Sequence, residues 1–186
     1  MAEPRKYLLD ANILIEAHRR YYGFDLCPGF WDAIVRHHQA DVVFCIDRIE
    51  EELKRGKDEL TEWTRAESPK TFFRPTSDPA IVEQFGEIVS WVQSESQFRE
   101  EAKAEFAAVA DGWLIACAKA GGFVVVTHEA YNRDIRKKVQ IPNVCRQFQV
   151  EYVNTFEMLR ELGIRFIEHP DCKQVGNAAK KVLSLH

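Results

Sequence analysis

The chain has no CxxC pair, no HExxH and no apolar run approaching the roughly 20 residues of a membrane span. Its five cysteines (Cys27, Cys45, Cys117, Cys145 and Cys172) are odd in number and scattered singly, which argues against a disulfide framework and against a zinc site. Cys45 and Cys117 lie in apolar stretches and read as core thiols. His37-His38 reads as a surface pair at a helix end. The opening "MAEPRKYLLD" lacks a long apolar core of its own, so no secretion signal is expected and a cytoplasmic address follows by default. Excess positive charge is missing too. Lys and Arg number 25 against 29 Asp and Glu, a net −4, whereas nucleic-acid binding wants a basic face. Repeats and internal domain boundaries are not evident.

What is present is the make-up of a globular protein with a real core: 46% hydrophobic and 29% charged residues. A length of 186 residues suits one domain. The charge is unevenly spread. "RDIRKK" (133–138) holds four basic residues against one acid, and the tail from Lys173 has three lysines and no acid. Acids crowd into "IEEELKRGKDELTEW" and "SESQFREEAKAE", which read as solvated helix faces.

Strand and helix patterns alternate. Residues 6–10 read as a strand, 12–20 and 29–39 as helices, and the β-branched "DVVFCI" (41–46) as a second strand. Asp47 is the predicted cap of the next helix, with Glu50 as its capping-box partner, and that helix runs to about Arg55 and stops at Gly56. "KDELTEWTRAE" predicts another helix ending before Pro69, and "FFRPTSDP" an extended connection. Two helices fill 79–107, with Ile81, Phe85, Ile88 and Val92 as a stripe on the first. The apolar helix at 109–120 is closed by Gly121-Gly122. "FVVVT" (123–127) has the unbroken apolar character of an interior parallel strand. A basic stretch, "VEYVN" (150–154), a helix at 155–162 and a short strand at 164–167 follow. The expectation is an α/β domain over 1–167, its mostly parallel central sheet flanked by helices, with a helical insertion around 57–107 and a polar, basic tail at 168–186. Gly121-Gly122 is a poor phosphate loop, because it precedes a strand rather than following one.

In such sheets, polar groups that act sit beyond the carboxyl ends of the strands. Asp10 ends the first strand, and Thr127-His128-Glu129 ends "FVVV". Glu52 lies on the helix after "VVFCI", and Asp111 opens the helix that precedes "FVVV". Each acid also has a plainer reading: Asp10 as an N-cap, Glu52 as a surface glutamate, Asp111 as a first-turn acid and Glu129 as solvated loop. Gathered together, they would be costly. Two unit charges about 4 Å apart at an effective dielectric near 20 repel by roughly 4 kcal/mol. Six such pairs reach about 15–20 kcal/mol, beyond a net stability of about 5–15 kcal/mol. A shared site therefore requires protonation or a hard divalent cation, and oxygen-only ligands suit Mg²⁺ or Mn²⁺.

"YLLDANILIEA", "IDRIEEELKRGKDELTEW" and "ADGWLIACAKAGGFVVVTHEA" together resemble PIN-domain ribonucleases over roughly residues 6–167. "YGFDLCPGFW" and "KVQIPNVCRQF" (138–148) add similarity to a bacterial PIN-like group related to toxins of the VapC type. The resemblance implies a three-layer fold and a Mg²⁺- or Mn²⁺-dependent endoribonuclease that leaves a 5′-phosphate, using one or two ions. It makes Asp10, Glu52, Asp111 and Glu129 the metal-site acids, with Asn12 and Thr127 as polar supports. Glu129 is one methylene longer than the Asp more usual at that position, and Glu51 is the alternative for the second. Arg133, Arg136, Lys137 and Lys138 are then expected to hold the RNA backbone. Tyr131 either stacks on an unpaired base or packs, and Asp134 is either an extra acid or, as favoured, a surface partner of the neighbouring arginines. Implied partners are RNA, a cognate antitoxin protein and a second copy of the chain, with no membrane. An RNA-processing nuclease and a non-catalytic PIN-like module that binds RNA or protein are the alternatives.

Overall fold

The computed structural model describes residues 5–167, so the expected tail at 168–186, with Cys172, lies outside the described residues. Among the described residues five strands form one sheet: β1 (Tyr7–Leu9), β2 (Val43–Ile46), β3 (Phe73–Arg74), β4 (Val124–Val126) and β5 (Tyr152–Val153). Their order is β3-β2-β1-β4-β5, and every pairing is parallel. Leu8 sits between Phe44 and Val125 in register. Strands β1, β2 and β4 are buried along their whole length, which explains their unbroken apolar runs: each is covered on both faces.

The helices are α1 (Ala11–Glu16), α2 (Pro28–Gln39), α3 (Asp47–Leu53), α4 (Glu59–Glu62), α5 (Pro79–Ser94), α6 (Glu100–Ala108), α7 (Asp111–Gly121), α8 (Ile141–Phe148) and α9 (Thr155–Glu161). From β1 the chain steps outward through β2 to β3, then returns to place β4 and β5 on the other side of β1. With right-handed crossovers, that reversal puts helices on both faces of the sheet. The architecture is α/β in three layers. Helices α2 and α3 pack on β2, α7 packs on β4, and α5 lies along α7. Each fully buried Leu, Ile or Phe of the core, such as Leu8, Ile34, Phe72 or Leu114, contributes roughly 1.5–3 kcal/mol. Gly122 closes α7 at φ +68°, a left-handed position that favours glycine.

Several elements differ from the sequence reading. Asp47 does not cap α3; Ile46 holds that position, and the Asp47 carboxylate accepts from Thr76 N at 3.0 Å and Thr76 Oγ1 at 2.8 Å. That bond ties α3 to the chain just beyond β3. The expected connection "FFRPTSDP" contains β3, so the segment read as a helical insertion also supplies a sheet edge. The helices read at 12–20 and 57–67 end as π-helical turns, Ala17–Tyr21 and Trp63–Glu67. Helix α8 occupies a stretch to which no element was assigned. Residues 164–167 form no strand; Phe166 instead packs on Tyr22 at a ring separation of 5.5 Å. His38 is buried rather than on the surface, its ring nitrogens meeting Val43 O at 3.1 Å and Thr71 Oγ1 at 2.9 Å. Cys45, Cys117 and Cys145 are buried free thiols.

Candidate functional site

Asp10 N donates to Val126 O at 3.0 Å, the last rung between β1 and β4, so Asp10 and Thr127 leave the sheet side by side. They do so where the strand order reverses, the place where open α/β sheets bind ligands. Asp10 occupies the N-cap position of α1, yet its side chain makes no capping hydrogen bond. Its carboxylate instead accepts from Thr127 Oγ1 at 3.1 Å, and only 1% of the residue is exposed. Burial first, and the Glu129 charge second, push the Asp10 carboxyl from 3.8 to about 6; the Thr127 hydroxyl, the backbone N–H of Asn12 and Lys138 oppose that rise.

Asp111 starts α7 and is half-buried. Burial first, then the charges of Asp10 and Glu129, carry it from 3.8 to about 7, with Glu52 adding and Lys138 opposing. Glu129 is nearly buried, its side chain 12% exposed. Its Oε2 accepts from Ile141 N at 2.8 Å at the start of α8, where a helix N-terminus favours an anion. Its Oε1 pairs with Lys138 Nζ, and its backbone N–H donates to Thr127 Oγ1 at 3.2 Å. The Thr127 hydroxyl thus joins the Asp10 carboxylate to the Glu129 backbone.

A cleft of about 490 Å³ opens over these groups, with Asp10, Asn12, Glu52, Asp111 and Lys138 in its wall. Glu52 and Asn12 are exposed, and Glu51 lines the same cleft. The structure therefore brings Asp10, Asp111 and Glu129 within electrostatic reach of one another, with Glu52 at the margin. It gives Lys138 a different place from the RNA-facing one expected, paired with Glu129 among the acids.

Two cations of the cleft wall, Arg48 and Arg55, were not anticipated. Their signal was available: Arg48, Glu52 and Arg55 lie at i, i+4 and i+7, one face of a helical segment. The Arg48 guanidinium sits 4.0 Å from the centre of the Trp113 ring, and its Nε donates to Thr76 Oγ1 at 3.2 Å. Trp113 in turn stacks on Phe85 at 3.7 Å.

The remaining basic residues, Arg133, Arg136 and Lys137, are exposed on the loop between β4 and α8. That loop is pinned. Asn143 Oδ1 accepts from Asn132 N at 3.2 Å, Asn143 Nδ2 donates to Asn132 O at 2.8 Å, and Gln97 Nε2 and Arg99 N each donate at 2.9 Å, to Ile135 O and Arg136 O. Among the described residues Asp134 makes no ion pair, so it is not the expected partner of the arginines. Tyr131 is 41% exposed, with the Arg146 guanidinium 4.0 Å from its ring centre.

As the side chains stand, no group of three His, Cys, Asp or Glu among the described residues is arranged to hold a metal ion. Both Glu129 oxygens are engaged, and a ligand role would require its release from Lys138. With Asp10 at about 6 and Asp111 at about 7, the two carboxyls exchange protons close to neutrality. Among the described residues no helix is long and apolar enough to cross a membrane. Residues 7–166 match the family model described as a domain of unknown function (DUF4411). Comparisons with curated proteins and with solved structures return no match.

Proposed function

The chain belongs to the DUF4411 family, and we propose that this member is a Mg²⁺- or Mn²⁺-dependent endoribonuclease with a PIN-like active site. The observation that carries the proposal is the coupled carboxyl set at the strand-order reversal, where Asp10 and Asp111 stand at about 6 and about 7. The donors are all oxygen, which suits a hard divalent cation rather than zinc. Lys138 brings one positive charge to the acids through its pair with Glu129. Asp10, Asp111 and Glu52 would hold the ion, with Glu129 joining on release from Lys138.

When bound, Mg²⁺ or Mn²⁺ supplies Lewis acidity toward water and toward the attacked phosphate. The chain's own residues do the rest. Thr127 fixes the Asp10 carboxylate through its hydroxyl. Arg48 on α3 and Arg55 just beyond it line the cleft and would take phosphate oxygens. Arg133, Arg136 and Lys137, exposed on the pinned loop, would hold the RNA backbone and locally offset the acidic balance of the chain.

The toxin half of a type II toxin–antitoxin pair, in the cytoplasm, is the setting that the sequence resemblance favours, with an RNA-processing role as its alternative. The engagement of Glu129 by Lys138 favours a second reading, a module that binds RNA without cutting it. One experiment separates the two. Purified protein is incubated with structured RNA in Mg²⁺, in Mn²⁺ and in chelator, alongside Asp10→Asn and Asp111→Asn. Cleavage that needs the ion and both acids supports the nuclease. Cleavage that survives both substitutions ends the proposal, and binding without cleavage favours the module.

A further inference from the structure

Most aromatic rings of this chain pack inward, as in the Tyr22–Phe30 stack at 4.4 Å and the Phe24–Trp31 stack at 4.2 Å. Three do not. Tyr21, His128 and Phe156 form an open triangle, with ring centres 6.3 Å apart for Tyr21–His128, 6.1 Å for Tyr21–Phe156 and 6.4 Å for His128–Phe156. Tyr21 is 45% exposed and Phe156 is 42% exposed. Rings with that much free surface have faces left for a ligand.

The triangle stands at the same sheet edge as the acids. His128 directly follows Thr127, whose hydroxyl bonds Asp10, so their Cα atoms are about 3.8 Å apart. The His128 ring is anchored to α9 by its Nε2 contact with Thr155 Oγ1 at 3.2 Å, and Phe156 is the next residue of that helix. Tyr21 comes from the helical segment that Asp10 begins. Its position depends on the π-helical turn Ala17–Tyr21, closed by Tyr22 N donating to Ala17 O at 2.6 Å. Such turns are rare and recur at functional sites. An unusual piece of backbone therefore presents an exposed ring against His128, at the end of β4.

We propose that Tyr21, His128 and Phe156 form a stacking platform for unpaired nucleobases, so that the substrate of the adjacent acid centre is single-stranded or looped RNA rather than duplex. The inference rests on the nuclease reading for the chemistry at Asp10, but the platform is a binding surface in its own right. Every base has a face that can lie on such rings, so selection is for unpaired structure and not for sequence. A duplex keeps its bases stacked on one another and offers these rings nothing. Tyr131, the ring singled out in the sequence, has the Arg146 guanidinium against it.

The test measures binding by fluorescence anisotropy in the full-length Asp10→Asn background, which separates binding from turnover. The probes are a labelled single-stranded RNA oligonucleotide and the same strand in a blunt duplex. Tyr21→Ala and Phe156→Ala are each expected to weaken single-strand binding by about 5- to 150-fold, the range for losing one stacked base, and to leave duplex binding unchanged. Tyr21→Phe and Phe156→Tyr, which keep a ring, should restore it, and a thermal melt of each variant excludes unfolding as the cause. Single-strand binding that changes less than about twofold on ring removal overturns the platform, as does equal loss for both probes. It is also overturned if ring removal abolishes only the binding of a protein partner. Ring-dependent binding by a wild-type protein that cuts no RNA would sink the nuclease reading and leave the platform standing; cleavage indifferent to the rings would do the opposite.

Discussion

Replacing Asp111 with Asn keeps the shape of a side chain whose charge is its main cost. Burial, then Asp10 and Glu129, lift the Asp111 carboxyl from 3.8 to about 7. The folded value lies above the unfolded one, so the folded state keeps its proton longer. The associated stability is fully present below about pH 4 and is lost as pH rises through about 7. At about 1.4 kcal/mol per pH unit, that rise corresponds to about 4 kcal/mol at pH 8. Asn carries no charge but still has to place its amide, which costs about 1 kcal/mol or more. A net gain of about 2–3 kcal/mol is therefore expected for Asp111→Asn at pH 8 in chelator, and none at pH 4. For a chain of this size that is an increase of about 4–12 °C in Tm. Melting both proteins between pH 4 and pH 8, with and without Mn²⁺, provides the measurement. Mn²⁺ should raise the wild type and leave the variant unchanged, narrowing the gap. No gain at pH 8, or an equal gain at pH 4, would refute the reasoning.

Thr127→Val removes the hydroxyl shared by Asp10 and the Glu129 backbone. It should cost about 1–2 kcal/mol and move the Asp10 carboxyl above about 6, read by carboxyl NMR titration; an unmoved titration counts against the role given to Thr127. Lys138→Met leaves Glu129 without its cation and removes the charge that favours ionised Asp10 and Asp111. Cation-free protein should lose about 1 kcal/mol at pH 8, a modest figure because Lys138 is partly solvated, and recover it in Mn²⁺. Arg136→Ala and Lys137→Ala should each reduce the logarithmic salt dependence of RNA binding by about one contact, without altering stability. An unchanged salt slope would take the loop out of the RNA interface.

Local pattern made some of this legible in the sequence and left the rest out of reach. Strands β1, β2 and β4 could be read because burial on both faces demands unbroken apolar runs. Strand β3 could not, since its two residues gain strand character only by pairing Phe73 with Cys45. Helix α8 is short, and its first turn is held by Glu129 from twelve residues upstream, a partnership no local window contains. His38 looked like surface because its partners, Val43 O and Thr71, lie on other elements. The positions of Asp10 and Glu129 at strand ends followed from strand–helix alternation alone. That Lys138 would turn back onto Glu129 depends on how the loop is pinned at Asn143 and Gln97, which is tertiary information.

The most direct measurement is calorimetric titration of Mn²⁺ into the full-length protein near pH 6.5, in two buffers of different ionisation enthalpy. Two carboxyls at about 6 and about 7 are partly protonated there, so a cation that enters among them must displace protons. Saturable binding with proton release, lost in Asp10→Asn and in Asp111→Asn, is the expected result. No binding, or binding indifferent to both substitutions, contradicts the claim that these acids hold a divalent ion.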